Sequence, residues 1–185
     1  MTVEEFLAWP GDGTGRRYEL VDGELRAQEA TTVDHGAIHA NLTATIRNHL
    51  RSSRPGCLLV VAPGIEPHLR ANWNFRIPDL GVTCSPPKTK GERRITDPVL
   101  LIEILSESNR SDTLGNIPLY STLPSVAEIL IVDSLKVSVE LLQRQPDGNW
   151  PRMPVRLGLE DSVMLASINL EMSVAEIYEG TSLLS

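Results

Sequence analysis

Apolar positions recur along this chain with two different periods, and each period predicts a kind of element. Over residues 34–53 they return every four positions, which predicts one long amphipathic helix. The stripe consists of Ile38, Leu42, Ile46 and Leu50. The short apolar runs 57–62, 99–105 and 129–132 predict strands, and 99–105 is typical of a strand buried on both faces. The pattern predicts an α/β fold, a mixed β-sheet with the long helix packed across it.

Shorter signals predict further elements. Residues 2–5 and 173–176 both have the S/T-x-x-E form of a capping box, so each predicts the start of a short helix. The Asp-Gly pair within residues 18–25 supplies the positive φ of a type I′ turn and predicts a hairpin. Residues 65–69 alternate in part and predict another strand.

A second helical segment is predicted from Asn109 to about residue 122, with Asn109 as its cap. Pro118 inside it predicts a kink or a break, because proline lacks the N–H that a helix interior requires. Residues 137–141 alternate cleanly and predict a strand that ends before another Asp-Gly turn.

Length and composition indicate one soluble domain over residues 1–185. No apolar run approaches the roughly 20 residues that a membrane span needs, and no signal-peptide pattern opens the chain. The two cysteines, Cys57 and Cys84, predict reduced thiols in a cytoplasmic protein rather than a disulfide framework. Their spacing fits no zinc-binding pattern.

The formal net charge is −7, whereas a protein that coats nucleic acid by bulk electrostatics is normally basic. Any nucleic-acid contact therefore requires local basic patches. One candidate is the edge of the long helix formed by Arg47, Arg51 and Arg54, for which a solvated flank is the alternative explanation. The other is the connector 85–98, whose basic residues are Lys88, Lys90, Arg93 and Arg94.

Two carboxylates occupy unusual places in this pattern. Glu103 lies in the middle of the apolar run 99–105, and Asp79 follows Pro78 at the start of another apolar run. An ionised carboxylate in such a strand costs several kcal/mol unless it is paired or bound to a metal. Either Glu103 pairs with an arginine or reaches solvent, or the two strands are neighbours and both carboxylates meet at a divalent cation.

Pro78-Asp79, followed in the next buried strand by Glu103 and Leu105, resembles the PD-(D/E)xK nuclease superfamily. Along nearly its whole length the chain also resembles a bacterial family of restriction-endonuclease-like proteins long catalogued as a domain of unknown function. The matching segments are 2–6, 18–24, His35, 77–79, 103–106, 112–120 and 126–133.

The resemblance implies a restriction-endonuclease-like core that hydrolyses phosphodiester bonds of DNA with Mg²⁺ or Mn²⁺. It further implies that Asp79 and Glu103 hold the metal and that Glu19 or His35 completes the site. For Glu19, a solvent-facing position in the hairpin is the alternative.

The chain departs from the superfamily pattern at one position. A lysine is expected two residues after the glutamate, but Leu105 stands there. In relatives with this change a lysine four residues after the position of Asp112 substitutes, and here that residue is Asn116. Asparagine can position a water molecule but carries no positive charge.

Two functions therefore stay open. The first is a metal-dependent DNA endonuclease, and the second is a catalytically impaired relative that binds nucleic acid or a partner protein without cutting. The intact carboxylate pair favours the first, and the missing lysine favours the second. A third function, a purely structural dimer module, is disfavoured because a buried Glu103 would then have no evident purpose. The oligomeric state is also open, with a homodimer as one alternative.

Overall fold

The computed structural model describes residues 1–107 and 109–184. The strands are β1 (Tyr18–Val21), β2 (Glu24–Ala27), β3 (Leu58–Val61), β4 (Leu80–Thr83), β5 (Pro98–Leu105), β6 (Glu128–Asp133), β7 (Val139–Gln143), β8 (Val155–Leu157), β9 (Ser162–Leu165) and β10 (Leu170–Ser173). The helices are α1 (Val3–Ala8), α2 (Val33–Ser53), α3 (Arg110–Tyr120) and α4 (Val174–Ile177). Short 3₁₀ turns cover Ala71–Trp73 and Ser182–Leu184.

The centre of the fold is a six-stranded sheet with strand order β3-β4-β5-β6-β7-β8. β5 and β6 are parallel, while the other neighbouring pairs in this sheet are antiparallel. Two hairpins, β1-β2 and β9-β10, stand apart from the sheet. The predicted mixed α/β sheet is therefore confirmed.

Helix α2 packs its apolar stripe against one face of this sheet. Leu100 and Ile102 of β5 belong to the same core. Leu101 and Leu105 belong to a second core on the opposite face, which α3 covers. Because side chains alternate along a strand, Glu103 lies on the face of Leu101 and Leu105, as predicted.

A third, smaller core joins the first hairpin to the rest of the chain. Phe6 of α1 packs with Leu20 of β1 and with Phe75. Leu20 and Phe75 also exchange two backbone hydrogen bonds of 2.9 Å. This pairing brings Glu19, the neighbour of Leu20, close to the segment that precedes β4.

Several predicted local features are confirmed. Both capping boxes form, at Thr2 with Glu5 and at Ser173 with Glu176. The Asp-Gly turn between β1 and β2 has positive φ at both residues, 49° and 88°. α2 covers the predicted helix and buries the whole of its apolar stripe.

Other predictions about local structure are wrong. Residues 65–69 form no strand, and Ile65 makes only an isolated bridge to Arg76. Helix α3 continues through Pro118, so the break that was one of the two predicted outcomes is absent. Asn109 occupies the N-cap position, but its side chain makes no capping hydrogen bond, because its Oδ1 atom accepts a hydrogen bond from the Ser106 N–H instead.

The prediction of two reduced thiols is also wrong, since Cys57 and Cys84 form a disulfide. β3 and β4 are antiparallel, with Leu58 opposite Thr83. Cys57 comes directly before Leu58 and Cys84 directly after Thr83, so the two cysteines face each other, with their Cα atoms 3.9 Å apart. This pairing depends on strand register, which cysteine spacing alone does not reveal.

Candidate active site

Asp79 and Glu103 meet across two neighbouring antiparallel strands. Leu80 lies opposite Ile102, so Asp79, one residue before β4, comes opposite Glu103. Pro78 fits this entry into the sheet because it has no N–H to pair. The Oδ2 atom of Asp79 accepts a hydrogen bond of 2.7 Å from the Ile104 N–H. The strands that carry the two carboxylates are therefore neighbours, as one of the two explanations required.

Glu103 is buried, with 4% of its surface exposed. Its Oε1 atom accepts hydrogen bonds from Tyr120 Oη at 2.7 Å and from Asn116 Nδ2 at 3.2 Å. Burial raises the pKa of Glu103 well above its usual value, and the nearby carboxyls of Asp79 and Glu19 raise it further. Over the described ranges no arginine pairs with Glu103, so the explanation by an ion pair or by solvent exposure is wrong.

Glu19 points inward from the first hairpin, with 13% of its side chain exposed. Its Oε1 atom accepts a 2.7 Å hydrogen bond from the Ile77 N–H, and Arg76 Nη1 lies 3.9 Å from its Oε2 atom. Burial raises the pKa of Glu19 to about 7, although the Ile77 N–H and Arg76 oppose that shift. The solvent-facing alternative for this residue is therefore wrong.

His35 reaches the same place from the first turn of α2. The helix begins at its N-cap Thr32, whose hydroxyl accepts the His35 N–H at 3.2 Å. The Nε2 atom of the buried His35 ring lies 3.3 Å from Asp79 Oδ1. The two atoms are not aligned for a hydrogen bond, and among the described residues Nε2 has no other partner.

Asn116 approaches from α3, the helix that covers this face of the sheet. Its amide group donates to Glu103, while its Oδ1 atom is buried and accepts no hydrogen bond from the part of the chain described here. Leu105 is 4% exposed and packs in the apolar core. The position two residues after Glu103 therefore contributes no charge.

All of the site residues predicted from sequence line one cavity of about 310 Å³. They are Glu19, His35, Asp79, Glu103 and Asn116. Arg26 also lines it, and its Nη1 atom lies 3.8 Å from Asp112 Oδ2. The cavity thus collects oxygen-bearing side chains from β1, β4, β5 and α3 with a histidine from α2.

Sequence reasoning missed two side chains that support these carboxylates, Tyr120 and Arg76. Tyr120 comes four residues after Asn116, so both lie on the same face of α3 and both reach Glu103. The spacing of four residues could therefore have identified Tyr120 from the sequence. Arg76 gave no such signal, because its contact with Glu19 depends on the pairing between the first hairpin and residues 75–77.

The oxygen-bearing side chains of this cavity resemble a partial set of ligands for Mg²⁺. Within the described ranges, no group of three or more His, Cys, Asp or Glu side chains is arranged to hold a metal. Mg²⁺, however, commonly takes one or two carboxylates and completes its octahedron with water and substrate phosphate. Asp79, Glu103 and the unpaired Oδ1 of Asn116 supply oxygen ligands of that kind.

The basic residues predicted to contact DNA lie in different surroundings. Arg47 and Arg51 are exposed on α2, 12 and 16 residues beyond His35, which is about 18 and 24 Å along a helix. Arg94 is paired with Glu66. Arg93, by contrast, lines a cavity that borders the site.

The fold and the site define a restriction-endonuclease-like protein. The whole fold matches a crystal structure described as "a putative nuclease belonging to DUF820" from Anabaena variabilis. The TM-score is 0.74 at 17% identity, covering 96% of this chain and 97% of that one. A family model described as "Putative restriction endonuclease" (Uma2) matches residues 3–175, and the chain belongs to that family.

Two uncharacterized proteins from Synechocystis sp. are similar to this chain over most of their length. The one designated slr1290 is 29% identical over 181 residues, covering 97% of this chain and 92% of its own. The one designated sll1609 is 22% identical over 153 residues, covering 81% and 84%. Of the helices described here, α2 included, none has the length and apolar character that crossing a bilayer requires.

Proposed function

We propose that the protein is a Mg²⁺-dependent endonuclease that hydrolyses phosphodiester bonds of DNA, acting as one domain over residues 1–185. The observation that carries this proposal is the pair Asp79 and Glu103, which meet across β4 and β5 in a cavity where Glu103 has no cationic partner among the described residues. Two carboxylates placed this close to each other are stabilised by a divalent cation.

Asp79 and Glu103 would hold the ion, which lowers the pKa of a bound water and polarises the phosphate when present. The chain's own groups keep both carboxylates in place. The Ile104 N–H fixes Asp79, while Tyr120 and Asn116 fix Glu103. Such supporting hydrogen bonds orient ligands and tune their affinity.

Glu19 suits the role of a general base in this proposal. Its pKa of about 7 leaves a large fraction of the side chain able to accept a proton at neutral pH. Its hydrogen bond from Ile77 and its contact with Arg76 keep it at the cavity wall. His35, beside Asp79, is a second group that could take or pass a proton.

A second candidate function is binding without cleavage. It is favoured by the absence of the expected lysine at Leu105 and at Asn116. The oxygen ligands would then be a retained feature of the fold, and DNA or a protein partner would bind without reaction. A homodimer stays a prediction under either function.

Nicking of supercoiled plasmid DNA with Mg²⁺ or Mn²⁺ separates these candidates. The nuclease proposal predicts nicking by the wild type that falls about a hundredfold or more in Asp79→Asn and in Glu103→Gln. Glu24→Gln is the matched control, because Glu24 is an exposed carboxylate of the same hairpin as Glu19. Absent cleavage by the wild type, or equal cleavage by Asp79→Asn, would contradict the proposal.

A further inference from the structure

A groove beside the candidate active site combines aromatic rings with arginines. It has a volume of about 470 Å³. Its aromatic residues are Phe6, Trp9, Tyr18 and Phe75, and its basic residues are Arg16, Arg17 and Arg93. We refer to this surface as the aromatic groove.

The rings of the aromatic groove are held in a fixed arrangement. Phe6 and Phe75 are buried, and their centroids lie 5.4 Å apart. Trp9 and Tyr18 are half-buried and meet edge to face at 5.0 Å. Trp9 also packs on Phe6 at 6.4 Å. The two half-buried rings, Trp9 and Tyr18, therefore expose part of their surface to the groove. The buried rings of Phe6 and Phe75 support them from below.

The aromatic groove is positively charged, whereas the whole chain carries a negative net charge. Its three arginines are exposed, and no acidic side chain lines the groove, although the net charge of the protein is −7. None of the three forms an ion pair with a carboxylate in the described ranges. Nearby Asp12 is engaged by Tyr18 Oη and by the hydroxyl of Thr14. The groove therefore offers positive charge without a carboxylate in its own wall.

The aromatic groove adjoins a cavity that Asp79 lines. Arg17 and Ile77 line the groove and also line this neighbouring cavity of about 480 Å³. The neighbouring cavity includes His35 and Asp79. A DNA strand bound in the groove would therefore lie next to the cavity of Asp79.

We propose that the aromatic groove binds an unpaired stretch of the DNA substrate, with a base stacked on Trp9 and phosphates on Arg16 and Arg17. Aromatic side chains stack on any exposed base, and arginines bind phosphate through paired hydrogen bonds. Bases within a duplex are not free to stack in this way. This inference rests on the proposed function and deepens it, because it assigns single-stranded or locally unpaired DNA as the substrate class.

Binding of a fluorescently labelled oligo-dT to the full chain in EDTA tests the groove without any cleavage. Arg16→Ala/Arg17→Ala should weaken binding about tenfold or more and flatten the slope of log K against log salt by about 1.4, or about 0.7 for each lost phosphate contact. The matched control, Lys136→Ala/Arg152→Ala, removes the same charge from exposed positions that line neither the groove nor the cavities of Asp79, and should leave both values unchanged. Equal effects of the two double variants would overturn the proposal.

Tryptophan fluorescence locates the stacked base. Oligo-dT should quench the wild type and Trp73→Phe alike, whereas Trp9→Phe should lose most of the quench. A quench that persists in Trp9→Phe would place the base elsewhere and overturn the proposal. Tighter binding of a blunt duplex than of oligo-dT, with the same dependence on Arg16 and Arg17, would also overturn it.

Failure of this inference can be told apart from failure of the proposed function. Binding that depends on Arg16 and Arg17 without any nicking by the wild type would support the groove and contradict only the nuclease. Nicking by an Arg16→Ala/Arg17→Ala protein with unchanged DNA affinity would contradict only the groove.

Discussion

Glu19, Asp79 and Glu103 are chemically alike but differ in their surroundings. Asp79 receives a backbone N–H, Glu103 receives two side-chain donors, and Glu19 combines a backbone N–H with a nearby arginine. Burial dominates for Glu19 and Glu103 and raises the pKa of both. Both residues therefore hold their protons more firmly in the native state than in the unfolded chain.

The raised pKa of Glu19 in the native state predicts how this residue affects stability as the pH changes. Its pKa rises from 4.5 to about 7 on folding, so its contribution to stability is present below pH 4.5 and is lost as the pH rises toward 7. Relative to Glu19→Gln, the wild type should lose about 3 kcal/mol or less of unfolding free energy across this interval. Urea denaturation in EDTA at a series of pH values measures the difference.

Glu24→Gln provides the control for this titration, because Glu24 is exposed on β2. It should follow the wild type at every pH. If the difference between wild type and Glu19→Gln stayed constant from pH 4.5 to 7, the raised pKa of Glu19 would be excluded.

At the scale of elements, α3 delivers the group that stands where a lysine is expected. Asn116 holds Glu103 with its Nδ2 atom and keeps an unpaired Oδ1 in the cavity. If it positions the attacking water, Asn116→Ala should slow plasmid nicking in Mn²⁺ by about a hundredfold. Asn48→Ala, at an exposed position on α2, is the control.

The outcome for Asn116→Lys distinguishes the two candidate functions further. In a binding protein that has lost its chemistry, lysine at this position supplies positive charge beside Glu103 and should restore some nicking to an inactive wild type. Robust wild-type nicking that Asn116→Ala leaves unchanged would contradict the role assigned to Asn116.

Elements with a strong period could be predicted from the sequence, and elements set by distant pairing could not. The stripe of α2 and the run of β5 were evident because each buries a whole face. The strands β8, β9 and β10 were missed, since each has only three or four residues, too few for a period to stand out in the sequence. Residues 65–69 alternate in part, but Ile65 alone among them forms a β-bridge, so no ladder forms.

The residues of the site divide in the same way into those that the sequence could predict and those that depend on pairing between distant segments. The resemblance identified Asp79, Glu103, Glu19, His35 and Asn116, and the fold brings all of them to one cavity. Their chemical roles stay predictions. The contact of Arg76 with Glu19 and the Cys57–Cys84 disulfide could not be predicted, because both depend on the register between segments distant in sequence.

For the molecule as a whole, a net charge of −7 has to be reconciled with the polyanionic substrate proposed above. One feature of the structure reduces this conflict, and the proposed metal ion would reduce it further. The aromatic groove gathers three arginines next to the cavity of Asp79. A divalent cation at Asp79 and Glu103 would offset the remaining negative charge where DNA has to approach.

The central claim, a divalent-cation site made by Asp79 and Glu103, is tested most directly by calorimetric titration with Mn²⁺ near pH 7.5. The wild type and Glu24→Gln should each bind Mn²⁺ at one site with equal affinity. Asp79→Asn should weaken that site by about tenfold or more, which corresponds to at least about 1.4 kcal/mol. Equal Mn²⁺ affinity in the wild type and Asp79→Asn would contradict the account.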